Sequence, residues 1–379
     1  MKQYKESEKT LRIMIVAGEP SGDIHGALLM QEIKNIYPNI FFYGIGGSKM
    51  EAEGLSSIVA LSDISVIGFS EVLKRAKLFL DLLKKIKTIL IQENIDCFIP
   101  IDYPGFNIKV SKFAYKQNIP VFYYIAPQLW AWGKKRYKKL EGIVNQLFVV
   151  FPFEKEFFNQ HNISAEFVGH PLLDNPDFLL PVQKFEDREN TIAFFPGSRR
   201  QELQKNLQFF AETANLLNAK LPDFNFCFAV SNNLNEKDFS ELKKHNFNYT
   251  LSSNSWELMR KAKAGIVKTG TTTLEAALLG MNMVMAYRTS ASHYFLGKHL
   301  INLNYIALPN ILLNKEVVPE CIQKEATPEI ISNKLYQLIS NPKEREQQQT
   351  YFEEIRNLLG KSGASKKTAE LILSSITQV

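Results

Sequence analysis

Short, continuous apolar runs alternate with amphipathic segments along most of this chain. Three such runs in the first half are Leu11–Ala17, Cys97–Ile101 and Val121–Ile125, and a segment of helical periodicity, Ile24–Ile36, follows the first. Strands that are apolar on both faces belong to parallel sheets covered by helices on both sides. The alternation therefore predicts an α/β fold with doubly wound sheets. The other strands predicted in this half are Phe41–Ile45, Leu147–Val150 and Glu166–Val168.

The alternating pattern is interrupted at residues 171–190, which contain three prolines and no clear periodicity. We interpret this segment as a linker, because a second series of strands and helices begins after it. A chain of 379 residues is long enough for two domains of roughly 100–200 residues each. We expect two Rossmann-like domains facing a cleft, with ligands beyond the carboxyl ends of the strands. The predicted elements of the second series are Thr191–Phe195, Leu203–Lys220, Asn225–Val230, Ser255–Lys263, Ala264–Val267, Thr273–Leu279 and Met283–Ala286.

Composition excludes several classes of protein. The net charge of +6 is too small an excess to indicate nucleic acid by itself. The three cysteines are scattered, so neither a disulfide framework nor a structural zinc site is expected. The first residues are charged, unlike a signal peptide. The longest nearly uncharged apolar stretch, Ile119–Gly133, contains two prolines and falls short of the ~20 residues that a spanning helix needs. We therefore expect a cytoplasmic protein that can still contact a membrane.

Two strand–turn–helix segments of the second series have the composition of phosphate sites. In FFPGSRRQEL, the N–H groups at the start of a helix and the guanidinium of Arg199 together predict a diphosphate site. An ordinary turn with surface arginines is the alternative. In VKTGTTTLEAALLG, Thr271 and Thr272 offer hydroxyl and N–H groups to a phosphate. Glu275 follows in the first helical turn, where it either interacts favourably with the helix dipole or accepts hydrogen bonds from ribose hydroxyls.

Two turns of the first domain carry acidic residues instead. The turn AGEPSGD contains Glu19 and Asp23, whose charges would repel a phosphate. In IDYPGFN, Asp102 follows a predicted strand and precedes a Pro-Gly pair. A carboxylate at this place either acts as a general base toward a hydroxyl or closes an Asx-turn on its own backbone. His25 and His170 lie beside turns without a partner at metal-ligand spacing, so we interpret both as structural histidines.

Two segments of the first domain combine cationic with apolar residues. The stretch APQLWAWGKKRYKK contains two tryptophans and five basic residues. This mixture suits a membrane–water interface or single-stranded nucleic acid, and buried tryptophans beside a solvated basic helix are the alternative. Residues 71–93 predict a basic amphipathic helix with an apolar arc wider than one core face needs. Such a helix is typical of an anionic bilayer surface, and a core helix is the alternative.

Taken together, the motifs resemble one family. The chain contains, in the order found in the lipid-A-disaccharide synthase family, AGEPSGD, IDYPGFN, APQLWAWGKKR, PFEKEFF, FVGHPLLD, FPGSRRQE, TGTTTLE and LPNIL. The resemblance implies an inverting GT-B glycosyltransferase of a Gram-negative bacterium. Its donor would be UDP-2,3-diacylglucosamine and its acceptor 2,3-diacylglucosamine 1-phosphate. The products would be the β-1,6-linked lipid A disaccharide 1-phosphate and UDP, with no metal or other cofactor.

The resemblance also implies residue roles. The residues implied at the UDP-sugar are Ser198, Arg199, Thr271, Thr272, Glu275 and Asn310, with Arg199 at the diphosphate and Glu275 at the ribose. Asp102 would take the proton from the acceptor 6-hydroxyl. We ourselves expect Glu19 to belong with Asp102 to the catalytic residues and to contact the donor or acceptor sugar, and Asp23 to cap the helix that follows it. The chain departs from the family pattern at Gly105, where many members carry an acid, and at Lys268, where a small residue is usual.

Acylated substrates imply a peripheral protein on the cytoplasmic face of the inner membrane. The residues implied at the anionic membrane surface are Leu78, Leu82, Lys84, Lys85, Trp130, Trp132, Lys134 and Lys135. The acceptor-side domain is expected to be 1–170 joined by the C-terminal helix 355–379, and the UDP-sugar domain to be 171–354. Nucleic acid is not expected as a partner, and a homodimer is left open. The alternatives are a UDP-sugar transferase with a polyprenyl acceptor, or a non-catalytic nucleotide-binding module of the membrane surface.

Overall fold

Two parallel β-sheets, each flanked by helices, form the protein. The computed structural model describes residues 9–61, 76–130, 136–198, 200–231, 234–289 and 303–377. The chain divides into two compact units, which we call unit 1 (Met1–Asn175 with Leu359–Val379) and unit 2 (Pro176–Leu358). The α/β fold class with two Rossmann-like sheets is thereby confirmed.

The sheet of unit 1 has seven strands in the order β3-β2-β1-β4-β5-β6-β7. Its strands are β1 (Leu11–Ala17), β2 (Ile40–Ile45), β3 (Leu55–Ser57), β4 (Cys97–Ile101), β5 (Phe122–Tyr124), β6 (Gln146–Val149) and β7 (Ala165–Phe167). The helices between them are α1 (Pro20–Ile36), α2 (Ser48–Ala52), α3 (Ala76–Gln92), α4 (Pro104–Lys116) and α5 (Pro152–Asn159). All the pairings are parallel. The strand order reverses between β1 and β4, where ligands of such sheets bind.

The sheet of unit 2 repeats this topology with six strands, in the order β10-β9-β8-β11-β12-β13. Its strands are β8 (Glu189–Phe195), β9 (Asn225–Ala229), β10 (Tyr249–Ser252), β11 (Ala262–Val267), β12 (Asn282–Tyr287) and β13 (Glu320–Ile322). Its helices are α6 (Pro176–Leu179), α7 (Arg200–Lys220), α8 (Ser255–Lys261), α9 (Thr271–Leu278), α10 (Leu308–Leu313), α11 (Pro328–Ser340) and α12 (Pro342–Leu359). The reversal lies between β8 and β11, where Phe195 pairs with Val267 at the carboxyl ends of the two strands.

The predicted strands are all present, and their ends differ from the prediction by at most two residues. Three short strands, β3, β10 and β13, were not predicted. The boundary between the two units, at Asn175 and Pro176, falls within the segment 171–190 that we interpreted as a linker. This segment contains regular structure, namely a 3₁₀ turn (Pro171–Asp174), α6 and the first residues of β8.

The last helix, α13 (Ala364–Ile376), returns to unit 1 and packs against α1. Its buried residues, among them Ile372 and Leu373, belong to the same core cluster as β1. The start of the helix is fixed by Asp174, whose carboxylate accepts the backbone N–H groups of Gly363, Ala364 and Ser365 at 2.6, 3.0 and 2.7 Å. One side chain thus satisfies three N–H groups that the helix cannot bond itself.

Replacement of Asp174 by Ala should therefore loosen α13. We expect the free energy of unfolding to fall by about 1–3 kcal/mol, since a cap and several partly buried N–H groups lose their acceptor. Urea denaturation gives the stability, and amide hydrogen exchange over residues 364–376 gives the local effect. Glu141→Ala, at an exposed position of the same unit, is the control. Unchanged exchange over these residues in Asp174→Ala would show that packing alone holds α13.

Candidate functional site

Asp102 lies at the carboxyl end of β4, at the reversal point of the unit 1 sheet. Both Asp102 and Tyr103 have positive φ angles, 41° and 48°, a strained conformation for residues other than glycine. The backbone is held in this turn by the Asn107 amide, which donates to the carbonyl oxygens of Val16, Ile101 and Asp102 at 3.2, 3.1 and 2.8 Å. The Tyr123 hydroxyl donates to the Asp102 carbonyl at 2.7 Å. These bonds fix the main chain of this turn and do not involve the carboxyl group of Asp102.

The acidic turn of α1 is the direct neighbour of Asp102, because Ala17 pairs with Ile101 in the sheet. Glu19 is the N-cap residue of α1. Gly18 has no room for a side chain, since a Cβ there would lie 2.2 Å from the Tyr103 ring. Burial raises the pKa of Asp102 to about 7, the charge of Glu19 adds to the rise, and the Tyr103 N–H opposes it. A carboxyl group with this pKa can gain and lose a proton near neutral pH, as a general base must.

Asp23 has a different role from the one expected. It lies within the first turn of α1, and its carboxylate accepts the N–H groups of Gly47, Lys49 and Met50 at 2.8, 3.2 and 3.0 Å. Asp23 therefore caps α2 and not α1, the helix in which it lies. The prediction was wrong because the capped helix lies beyond β2, outside any local pattern.

A second buried carboxyl group of unit 1 belongs to Glu154, a residue of PFEKEFF for which the sequence predicted no role. It accepts the Trp130 indole N–H at 2.8 Å and the N–H groups of Val150 and Phe151 at 3.2 and 3.0 Å. Burial raises its pKa to about 7 despite these three donors, and the charge of Asp102 contributes last. The sequence signal was an acid inside an aromatic run, which is unusual unless the acid has partners.

Trp130 is consequently tied into unit 1. Its ring packs edge-on against Phe153 with centroids 4.9 Å apart, and its N–H bonds to Glu154. Trp130 is half-buried, so its contact with a membrane stays a prediction. Trp132, Lys134 and Lys135 lie outside the described residues.

His25 and His170 form a buried pair, with ring centroids 6.4 Å apart. Burial lowers the pKa of His25 to about 4 and that of His170 to about 3, so both are neutral. His170 Nδ1 accepts the Leu172 N–H at 3.2 Å, whereas His25 Nδ1 has no hydrogen-bond partner among the described residues. The interpretation as a satisfied structural histidine thus holds for His170 and only in part for His25.

In unit 2, the loop after β8 passes close to two side chains. Gly197 has a φ of 127°, and a Cβ on it would lie 2.8 Å from Cβ of Glu202 and 3.4 Å from Cδ of Lys268. Ser198 is exposed, and its carbonyl accepts the Ser231 hydroxyl at 3.0 Å. Arg199 lies outside the described residues. Glycine is required here by both its backbone angle and the close approach.

The loop after β11 leads into α9, next to the loop that follows β8. Gly270, with a φ of 128°, is the N-cap residue, and Thr271 and Thr272 form the first turn, where N–H groups have no acceptor within the helix. Thr271 is exposed and Thr272 half-buried. Because β8 and β11 pair directly, both loops leave the same edge of the sheet, and this edge carries two helix starts side by side.

Glu275 is partly buried on the same helix. Burial raises its pKa to about 7, opposed by a hydrogen bond from the Trp256 side chain. It lies beyond the first turn of α9, which contains no acidic residue, so its predicted place in the first helical turn is wrong. Its contact with a ribose stays a prediction. The alternative, a solvated acid that interacts only with the helix dipole, does not account for this burial.

Asn310 is engaged within unit 2 instead of being available to a ligand. Its amide nitrogen donates to the Val318 carbonyl and the Glu320 carboxylate at 2.8 and 2.9 Å. Its oxygen accepts the N–H groups of Val317 and Val318, both at 2.8 Å. All four hydrogen-bonding positions of the side chain are used. The expectation that Asn310 binds the UDP-sugar is not supported for its side chain, which instead joins α10 to Val317, Val318 and Glu320.

Comparison with known proteins now adds to this geometry. Residues 13–374 match the family described as lipid-A-disaccharide synthetase. The chain is 36% identical over 379 residues to the lipid-A-disaccharide synthase of Trichlorobacter lovleyi, covering 97% of this chain and 98% of the relative. The synthase of Haemophilus influenzae is 35% identical over 339 residues, 87% of each chain. The chain belongs to the lipid-A-disaccharide synthase family.

Family membership confirms the predicted resemblance and the class of activity, a glycosyltransferase of lipid A synthesis. Solved structures with a similar fold include UDP-GlcNAc 2-epimerase from Neisseria meningitidis bound to UDP-GlcNAc (TM-score 0.65, 14% identity, 96% of this chain and 100% of that chain). The calicheamicin glycosyltransferase is another (TM-score 0.62, 13% identity, 97% and 99%). At these identities the likeness concerns the fold alone.

Helix α3 is the other segment of this synthase-family chain that was expected at a membrane. Leu82 is only 7% exposed and belongs to the core cluster that contains Phe106, so its expected membrane contact is wrong. Leu78 is 38% exposed, and Lys84 and Lys85 are also exposed. Residues 71–75 of the predicted helix lie outside the described residues. Within the part of the chain that the structure describes, no helix is both long and apolar enough to cross a membrane.

The raised pKa values make stability depend on pH. Asp102, Glu154 and Glu275 each have a folded-state pKa of about 7, well above their ordinary values. Between about pH 4.5 and 7 the folded chain holds protons that the unfolded chain has released, so the free energy of unfolding falls as the pH rises through this window.

Asp102→Asn should therefore stabilise the protein more at pH 8 than at pH 4.5, because it removes the cost of burying an ionised group. We expect the difference between the two pH values to be roughly 1–3 kcal/mol, from about 1.4 kcal/mol per pKa unit reduced by solvent screening. Urea denaturation at both pH values measures it, with Glu141→Gln as the exposed control. An equal effect at the two pH values would contradict a raised pKa of Asp102.

Proposed function

We propose that this chain transfers the 2,3-diacylglucosamine group of UDP-2,3-diacylglucosamine to the 6-hydroxyl of 2,3-diacylglucosamine 1-phosphate. The products are the β-1,6-linked disaccharide 1-phosphate and UDP. The observation that carries the proposal is Asp102, a carboxyl group with a pKa of about 7 fixed at the reversal point of the unit 1 sheet. Family membership supplies the class of reaction.

The proposed mechanism is a single displacement with inversion. Asp102 accepts the proton of the acceptor 6-hydroxyl as its oxygen attacks the anomeric carbon of the donor. The bond from that carbon to the diphosphate oxygen breaks, and UDP leaves. Asp102 can accept the proton above its pKa, and the protonated form that results is tolerated because the site already favours it. Glu19 raises the pKa of Asp102 and, in this proposal, also contacts a sugar hydroxyl.

Unit 2 supplies the donor site in this proposal. The N–H groups at the starts of α7 and α9, with Ser198, Arg199, Thr271 and Thr272, bind the diphosphate and stabilise the charge that grows on the leaving group. Glu275 accepts hydrogen bonds from the ribose hydroxyls. Unit 1 binds the acceptor. The closely paired loops after β8 and β11 support this assignment, because they bring both helix starts to one edge of the sheet.

The decisive experiment is a transfer assay with both acylated substrates, read by mass spectrometry of the lipid product. The native chain should form the disaccharide 1-phosphate, and Asp102→Asn should lower the rate of transfer by about 10²–10⁴-fold while UDP binding, measured by calorimetry, is retained. Glu141→Gln should behave as native. Release of UDP only with a polyprenyl acceptor would overturn the proposed substrate, and full turnover by Asp102→Asn would remove this residue from the mechanism.

The native enzyme should also show a pH profile that reports the base. Because the ionised form of Asp102 accepts the proton, kcat/KM should rise with pH and reach half its plateau near pH 7. A profile that is flat between pH 5.5 and 8 would mean that proton transfer to this carboxylate does not limit the reaction.

We further propose that α3 contacts the anionic surface of the inner membrane on its cytoplasmic face. Three apolar side chains on this helix, Leu78, Leu80 and Ile91, are 38, 61 and 53% exposed. Lys84 and Lys85 lie on the same helix and are exposed. A groove of about 370 Å³ between α3 and α4 continues the apolar surface to Phe113. Apolar side chains beside lysines suit acyl chains beside anionic headgroups.

Charge reversal tests this contact. Lys84→Glu with Lys85→Glu should weaken binding to vesicles containing anionic lipid, since each lysine near such a surface contributes about 1 kcal/mol. The effect should shrink at high salt. Lys237→Glu with Lys243→Glu, a pair of exposed lysines on unit 2, changes the net charge equally and is the matched control. Equal losses in the two double variants would mean that net charge alone attracts the protein.

A further inference from the structure

The helix start proposed to bind the diphosphate carries a carboxylate. Glu202 lies in the first turn of α7, and its Oε2 would be 2.9 Å from a Cβ on Gly197. The carboxylate is therefore packed against the loop whose N–H groups face the diphosphate in our proposal. Oε2 is buried and has no hydrogen-bond partner among the described residues. Left alone, this negative charge would oppose the binding of a diphosphate at the same place.

Lys268 brings a positive charge to this carboxylate. It is the first residue after β11, and its N–H donates to the Phe195 carbonyl of β8 at 3.2 Å. Its ammonium group lies 2.8 Å from Glu202 Oε1, and its stem passes over Gly197. The Lys268 side chain is only 17% exposed, and Nζ lies 5.8 Å from the centre of the Tyr287 ring. Lys268 is thus a partly buried lysine between the two loops and not a solvated surface residue.

We propose that Lys268 is a positioning residue for nucleotide binding: it neutralises Glu202, so that the start of α7 can hold the diphosphate of the donor. The inference rests on the proposed donor site of unit 2. It predicts that the positive charge of Lys268 strengthens the binding of ligands with phosphates and does not affect the binding of the nucleoside. It also predicts that the need for Lys268 disappears once Glu202 is no longer charged.

A double-mutant cycle with calorimetry tests both statements. The proteins are the native chain, Lys268→Met, Glu202→Gln and the double variant, and the probes are UDP and uridine. Met keeps the apolar stem of Lys268 and removes the charge. Lys268→Met should weaken UDP binding about tenfold, which is the effect expected from the loss of one charge interaction at a partly buried site. It should leave uridine binding unchanged. The double variant should recover UDP affinity to within about threefold of native.

Steady-state kinetics gives a second readout. In Lys268→Met the KM for the UDP-sugar should rise about tenfold while kcat stays within about threefold, because the proposed effect acts on binding. Lys268→Arg should restore most of the affinity, since it returns the positive charge. Lys244→Met is the matched control, because Lys244 also forms an ion pair, with Glu241 at 2.6 Å, on a more exposed part of unit 2. It should bind UDP as the native chain does.

Three results would overturn the inference. They are native UDP affinity in Lys268→Met, an equal loss of UDP and uridine binding in that variant, and a double variant as weak as Lys268→Met alone. The last would mean that Lys268 acts on the diphosphate directly. Failure of the donor-site proposal itself would look different: the native chain would bind UDP no better than uridine before any substitution.

Discussion

The pairing of β1 with β4 is the contact on which the candidate site of unit 1 depends. Both strands are buried on their two faces, so their register is fixed by packing and by the ladder of hydrogen bonds. The register places Ala17 beside Ile101, and the residues that follow, Glu19 and Asp102, become neighbours although they are far apart in sequence. Asn107 then bonds carbonyl groups of both strand ends. The acidic pair is thus a consequence of strand order.

Burial of carboxyl groups shifts their protonation toward neutral pH and costs stability. Asp102, Glu154 and Glu275 would each be more stable in water when ionised, and the folded chain raises their pKa values to about 7. Glu154 differs from Asp102 because its two oxygens accept three hydrogen bonds. We interpret Glu154 as structural for this reason. The main-chain carbonyl of Asp102 instead accepts from Asn107 and Tyr123, and its carboxyl group is bonded by the Tyr103 N–H.

Local patterns in the sequence predict what local physics determines. The buried strands were predicted because a short, continuous apolar run of five to seven residues is typical of a buried strand. Strands β3 and β13, with three residues each, are too short for a period to be visible. Asp23 and Asn310 were misassigned because their partners are distant in sequence or belong to another loop. Leu82 was wrongly placed at a membrane because the width of an apolar arc on a helix does not show which of its residues pack into the core.

The two sheets share a topology and differ in the charges at their reversal points. In unit 1 the turn after β1 offers Glu19 beside Asp102, a combination that disfavours phosphate and suits hydroxyl groups. In unit 2 the corresponding turn after β8 also carries an acid, Glu202, but the neighbouring strand end supplies Lys268 to neutralise it. A base and a diphosphate site have incompatible needs, because the negative ligand would raise the pKa of the base further. In the function that we propose, unit 1 provides the base and unit 2 the diphosphate site, so each strand-end pair is adjusted for one of the two tasks.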